Sequence, residues 1–162
     1  MIRFFLVFIL SFSVALALAY YWGAALAPVI TEILSAFVVL AIITGTMSYA
    51  LYAHVDGIAK DVAHEKDNLA SKLYMNVLGE LENLKREVLV NASLILALLL
   101  CERFLLGLTN QFHPENGEPF SWTWATLLSL RVACFLTGMT AAAIQFHGFV
   151  IANRFRTVIS AK

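Results

Sequence analysis

Four long apolar segments constrain this chain more than any other feature of its sequence. They are Ile2–Trp22, Val29–Ala53, Val88–Thr109 and Trp122–Ala152. A helix needs about 20 apolar residues to cross a hydrocarbon core, and each segment reaches that length. Apolar residues make up 60% of the 162 residues, which excludes an ordinary soluble domain. The prediction is an all-α membrane protein with four transmembrane helices, a single polytopic membrane domain over residues 1–162.

The distribution of basic residues predicts how the spans are oriented. The loop from Gly23 to Pro28 and the outer loop Asn110–Ser121 contain no Lys or Arg. Cytoplasmic loops carry an excess of these residues, so we expect an N-in/C-in topology in a bacterial inner membrane. The basic residues near the span ends, all on the predicted cytoplasmic side, are Arg3, Lys60, Lys66, Lys72, Lys85, Arg86, Arg154, Arg156 and Lys162.

The first span has an alternative interpretation as a secretory signal. Arg3, the apolar run Phe4–Leu16 and the small-residue pattern Ala17-Leu18-Ala19 are typical of a cleavable leader. Cleavage would leave three spans and a mature N-terminus outside the cytoplasm. An uncleaved first helix agrees better with the charge distribution.

The segment between spans 2 and 3 has the pattern of an amphipathic helix. From Ile58 to Val88, apolar residues recur mostly at spacings of three or four. The turn is predicted at Lys66-Asp67-Asn68, so helices 2 and 3 would extend into a cytoplasmic helical hairpin over about residues 54–87. The alternative is a separate helix lying along the headgroups. The hairpin could recruit a protein partner or promote oligomerisation, or its two helices could simply bury their apolar faces on each other.

Four charged residues fall in the outer half of the predicted membrane and form an intramembrane charge cluster. They are Glu32, Glu102, Arg103 and Arg131. Counted along the helices, Glu102 and Arg131 lie at the same depth, about 10 Å below the outer interface, and are the expected pair. Buried charges are tolerated only when they pair or reach water. The cluster is therefore either an ion pair that holds helices together or the polar lining of an ion path or gate.

Helix 4 presents one stripe of small and polar residues below Arg131. Steps of three or four residues give Cys134, Gly138, Ala142 and Gln145. Small residues allow helices to approach closely, and Gly138 and Ala142 have the small-xxx-small spacing. The stripe is predicted to be a helix-contact surface or, alternatively, the lining of a path formed between subunits.

The remaining polar residues indicate no enzyme. His54 and His147 are expected near the cytoplasmic ends of their helices, as a pH-sensitive pair or as water-exposed interfacial residues. The sequence contains no HExxH, GxSxG or Walker motif, no catalytic residues and no paired metal-ligand pattern. Neither a metal nor another cofactor is predicted. The net charge is zero, so binding to nucleic acid is not predicted.

A local match suggests a family. Helix 2 contains Gly45-Thr46-Met47, followed after 26 residues by Tyr74-Met75 on the way into helix 3. The motifs and the four-span layout resemble the small membrane component of the lambdoid phage Rex exclusion system. The resemblance covers helices 2 and 3 and implies an inner-membrane protein that excludes phage by letting ions through.

Two functions follow as expectations. The first is an oligomeric ion-permeation or membrane-perturbing effector linked to phage exclusion and antiviral defence, because four helices are too few to enclose a wide path alone. The second is a non-conducting membrane adaptor or sensor subunit that recruits a partner through its cytoplasmic hairpin or outer loop. In both, the lipid bilayer is the surrounding medium and the partner is a second copy or another protein.

Overall fold

The computed structural model describes residues 2–64, 72–112 and 120–160 as an almost entirely helical chain. The helices are α1 (Ile2–Ser35), α2 (Phe37–His64), α3 (Lys72–Gln111) and α4 (Trp122–Ser160). No β-strand occurs within these three ranges. The prediction of an all-α fold is therefore confirmed.

Four stretches of helix are long and apolar enough to cross a membrane. They are Ile2–Trp22, Ala27–Ile58, Gly79–Gln111 and Trp122–Gly148. Many large apolar side chains on them are exposed, such as Leu100 and Phe104 on α3. Lipid tails are as apolar as leucine, so such exposure costs little in a bilayer although it would be costly in water. The fold is that of a multi-pass membrane protein.

Helix α1 does not run straight from Ile2 to Ser35. Phe4 packs against a core that contains Ala41, although a straight helix would separate these two residues by about 55 Å. The backbone of the predicted loop Gly23–Pro28 is helical, which differs from the expected break at this point.

The second span is interrupted once, at Ala36. The amide of Ala36 donates to the carbonyl of Ile33, three residues back, at 3.2 Å, and the hydroxyl of Ser35 donates to the carbonyl of Glu32. Bonds across three residues tighten a helix locally, and a serine hydroxyl competes for backbone acceptors. The predicted continuous helix over Val29–Ala53 is therefore divided between the end of α1 and α2.

Helices α2 and α3 continue beyond the spans predicted from the sequence. α2 runs to His64, eleven residues past the predicted span end at Ala53, and α3 begins at Lys72, sixteen residues before Val88. The predicted turn Lys66-Asp67-Asn68 lies outside the described residues, as does most of the outer loop Asn110–Ser121. Helical backbone at both ends of this segment agrees with the helical spacing predicted there, and the hairpin itself stays a prediction.

Packing divides the chain into two compact units, which are described separately. Unit 1 comprises Met1–Ile42 and Leu94–Ala141, and unit 2 comprises Ile43–Ser93 and Ala142–Lys162. The core of unit 1 is built largely from small residues of several helices, including Ala19, Ala125 and Ala133. In unit 2, apolar side chains of α2 and α3 are buried, among them Leu51, Val55 and Leu81. Unit 1 contains all four residues of the charge cluster.

Candidate functional site

The centre of unit 1 is an ion pair between α3 and α4. Arg131 donates from Nε to Oε1 of Glu102 at 3.0 Å, and from Nη2 to the same oxygen at 2.8 Å. Glu102 is 0% exposed and Arg131 is 2% exposed. Depth counting along the two helices predicts this pair, and the structure contains it. Charges in such a place are held only by mutual neutralisation and hydrogen bonding.

The second carboxylate oxygen of Glu102 is less well satisfied than the first. Oε2 is buried and makes no hydrogen bond within the described part of the chain. Arg103 approaches this oxygen, and its Nε lies 3.4 Å from Oε2. At that distance the contact is an ion pair without hydrogen-bond geometry. One carboxylate therefore lies between two guanidinium groups, and the local formal charge of the three residues is +1.

Arg103 and Glu32 differ from the buried pair because both are exposed. The side chain of Arg103 is 39% exposed, although its neighbour Glu102 is fully buried. Adjacent residues on a helix point about 100° apart, so one can face the core while the other faces outward. Glu32 is exposed and, among the described residues, enters no ion pair. The structure thus joins three members of the charge cluster and leaves Glu32 outside their contacts.

Gly138 allows α4 to approach the helix that carries Phe37. A Cβ added at Gly138 would lie 2.7 Å from the ring of Phe37, closer than real Cβ atoms approach other atoms. Phe37 is fully buried and its ring also packs edge-on against Phe135. Cys134, one turn away, is buried as well. This part of the stripe on α4 is a surface of helix contact within unit 1.

Gln145 makes the polar part of the stripe, in unit 2. Its side-chain carbonyl accepts a hydrogen bond from Ser48 at 3.0 Å, and its side-chain amide donates to the backbone carbonyl of Val88 at 3.3 Å. Gln145 is buried, whereas Ala142 is only partly so. A buried amide that bonds to two other helices fixes their register, because each lost bond would leave a polar group unpaired in an apolar setting.

An ion pair that sequence reasoning missed connects α2 and α3 in unit 2. Lys85 donates to Asp56, which also pairs with Lys60 at 2.8 Å. The ammonium of Lys85 lies 5.0 Å from the ring centre of Tyr52, within cation–π range. Asp56 is the first acid past the predicted end of span 2, and Lys85 lies just before span 3. That proximity to the span ends is the only sequence signal for the contact.

Aromatic residues gather at one end of unit 1. The rings of Tyr20 and Trp122 stack with centroids 5.7 Å apart, and Phe120 packs edge-on against both. Aromatic belts of this kind occur at membrane interfaces. Trp124, two residues after Trp122, is instead 2% exposed and lies in the core with Ala125 and Leu128.

The remaining candidates, the two histidines and the two cysteines, differ in their exposure. His54 is partly buried whereas His147 is exposed, so the two rings have different surroundings, and their role as a pH-sensitive pair stays a prediction. Both cysteines are free thiols, Cys101 exposed and Cys134 buried. Within residues 2–64, 72–112 and 120–160, no group of three His, Cys, Asp or Glu side chains could hold a metal ion.

Comparison with protein-family models, curated proteins and solved structures finds no match to this chain. The geometry therefore defines only a class, a four-helix multi-pass membrane protein with a buried ionic centre. The resemblance to the Rex exclusion component stays a hypothesis.

Proposed function

We propose that this chain is an inner-membrane protein with both termini in the cytoplasm, whose assembled copies let ions across the bilayer in phage exclusion. The observation that carries the proposal is the ionic centre of Glu102, Arg103 and Arg131. Apolar residues of similar volume commonly hold helices together at no loss of stability, and often at a gain. A charged centre with one unsatisfied carboxylate oxygen therefore stabilises helix packing less well than apolar residues would. A function that involves charge explains its presence better than packing does.

Conduction requires more than one copy. Within unit 1 the ionic centre is sealed, because Arg131 and Glu102 neutralise each other and are both buried. A cleft of about 130 Å³ is lined by six apolar side chains of α1 and α4, so it offers an ion no polar partners. The cleft residues are Ile30, Ile33, Leu34, Val132, Phe135 and Leu136. A conducting state would form between copies, and gating would require the Glu102–Arg131 pair to open toward that path.

The test is ion flux through liposomes that contain the purified protein. The informative variant replaces both charges, Glu102→Gln together with Arg131→Gln, because it removes the charge without leaving either partner buried and unpaired. We expect this variant to insert and assemble like the wild type but to lose the voltage-dye response. Arg3→Gln is the matched control, since Arg3 is an exposed arginine near the N-terminus, and it should conduct normally. Equal flux from the double variant and the wild type would refute the proposed gate.

A membrane adaptor is the second candidate, and the length of α2 and α3 favours it. Both helices carry exposed charges beyond their apolar parts, such as Lys60 and Arg86. They would form the cytoplasmic hairpin that a partner recognises. Lys85 is a poor test residue because it already binds Asp56 within unit 2. Arg86→Glu changes the exposed surface alone, and loss of phage exclusion with normal liposome flux would support the adaptor over the conducting effector.

A further inference from the structure

Two opposite charges remain on the outside of unit 1 after the internal ion pairs are made. Arg103 carries the positive charge in excess beside Glu102, and its side chain is 39% exposed. Glu32 carries the negative charge and is exposed without an ion pair among the described residues. Apart from Arg3 near the N-terminus, the other charged residues described in unit 1 are the buried Glu102 and Arg131. Among the residues that the structure describes, neither exposed charge has a full partner in its own copy.

The two charges lie at nearly the same depth. Glu32 falls between Ile30 and Leu34, which share an apolar cleft with Val132. Val132 follows Arg131, and Arg131 binds the glutamate next to Arg103. These contacts place both charges at a similar level along the bundle.

Matched depth matters because of the symmetry available to membrane proteins. Copies inserted with the same orientation are related by rotation about an axis normal to the bilayer, which keeps every residue at its own depth. A cyclic assembly built by that rotation has a head-to-tail interface, in which one surface of each copy meets a different surface of the next. Two complementary residues can meet across such an interface only if their depths agree.

The surroundings of the two charges are also alike. Leu100 and Phe104 flank Arg103 on one face of α3 and are each 70% exposed. Val29 and Ile33 flank Glu32 in the same i−3 and i+1 positions and are exposed as well. Each face is apolar and carries a single charge, positive on one face and negative on the other. If the two faces pack together, both charges leave the lipid, where exposing a charge costs free energy.

We infer that a second copy of this chain covers these faces, with Arg103 of one copy paired to Glu32 of the next. The inference rests on the proposed assembly of several copies but not on conduction. The completed site would place Glu32 of the neighbouring copy beside the Glu102–Arg103–Arg131 centre and bring its local formal charge from +1 to zero.

Cysteine cross-linking between differently tagged copies tests the contact directly. Copies bearing Glu32→Cys are coexpressed with copies bearing Arg103→Cys, both in a background with Cys101→Ala and Cys134→Ala. Oxidation should give a disulfide-linked pair carrying both tags, at several times the yield obtained when Val14→Cys replaces Glu32→Cys. Val14 is exposed on the first span and is a matched lipid-facing control. If the copies insert but give no cross-link, or one no stronger than that of the Val14→Cys control, the inference is overturned.

Charge reversal at Glu32 provides the second measurement. Glu32→Arg should reduce the oligomer fraction in detergent at least several-fold, whereas the conservative Glu32→Asp should largely retain it. An unchanged oligomer fraction for Glu32→Arg, while it still inserts, would also overturn the inference. Retention of an anionic phospholipid by Arg103 in monomers from phosphatidylglycerol vesicles would overturn it in favour of lipid binding.

The two proposals fail in distinguishable ways. Loss of liposome flux with the cross-link retained would refute conduction and leave the interface standing. Normal flux without the cross-link would refute this interface alone.

Discussion

Arg131 directs two of its donors, Nε and Nη2, to the same oxygen of Glu102. A forked arginine–carboxylate pair would instead use both oxygens. The single-oxygen arrangement leaves Oε2 of Glu102 facing Arg103 at 3.4 Å. One buried carboxylate is therefore shared by a buried and an exposed guanidinium group, which connects the ionic centre to the outer surface of unit 1.

The first prediction concerns the stability of that pair. Arg131→Gln leaves the Glu102 carboxylate buried with only Arg103 nearby, and removing one partner of a buried pair typically costs about 3–5 kcal/mol. We expect a large fall in the midpoint of thermal unfolding in detergent. Replacing both residues by Gln should recover much of that loss, because no charge is then left uncompensated. A double variant as unstable as Arg131→Gln would contradict this account.

The second prediction concerns close packing at Gly138. Gly138→Ala places a methyl group against the buried ring of Phe37, and overpacking typically costs about 1–3 kcal/mol. Gly107→Ala is the control, since nothing lies within 4 Å of a Cβ at that position. The control should be neutral or slightly stabilising, because alanine favours a helix over glycine. Thermal unfolding of both variants distinguishes steric overlap from helix propensity, and equal responses would contradict the prediction.

The third prediction concerns the buried hydrogen bonds of Gln145. Gln145→Leu removes its bonds to Ser48 and to the carbonyl of Val88, while Ser48→Ala removes one of them. A double-mutant cycle should give a coupling energy near 0.6 kcal/mol, the average for side-chain hydrogen bonds measured in a membrane protein. Reversible unfolding in mixed micelles measures it. Strictly additive effects would indicate that the Ser48–Gln145 bond does not contribute to stability.

The fourth prediction concerns topology. The positive-inside distribution places Lys60 in the cytoplasm and Asn110 outside, and both side chains are exposed. In a cysteine-free background, an impermeant maleimide added to intact cells should label Asn110→Cys and leave Lys60→Cys unlabelled until the membrane is opened. The reverse pattern would invert the topology and place the ionic centre in the inner half of the bilayer.

The sequence determined most of the architecture. The length and apolar content of four segments predicted four membrane-crossing helices, because the bilayer thickness fixes how many residues a span needs. Helical rise alone also predicted that Glu102 and Arg131 would meet, since α3 and α4 run in opposite directions and place them at equal depth. Both predictions rest on one-dimensional quantities that can be counted along the chain.

The rotational setting of each helix was decided only by the tertiary structure. Depth counting grouped Glu32 with the other three charges, but its helix turns that side chain outward. Trp122 and Trp124 both begin the fourth span, yet Trp124 is buried whereas Trp122 stacks on Tyr20 at the surface. The contact between Asp56 and Lys85 had no clear periodic signal. In a bilayer, lipid-facing and core-facing residues are equally apolar, so hydropathy does not tell them apart, and packing between helices decides which side chains face each other.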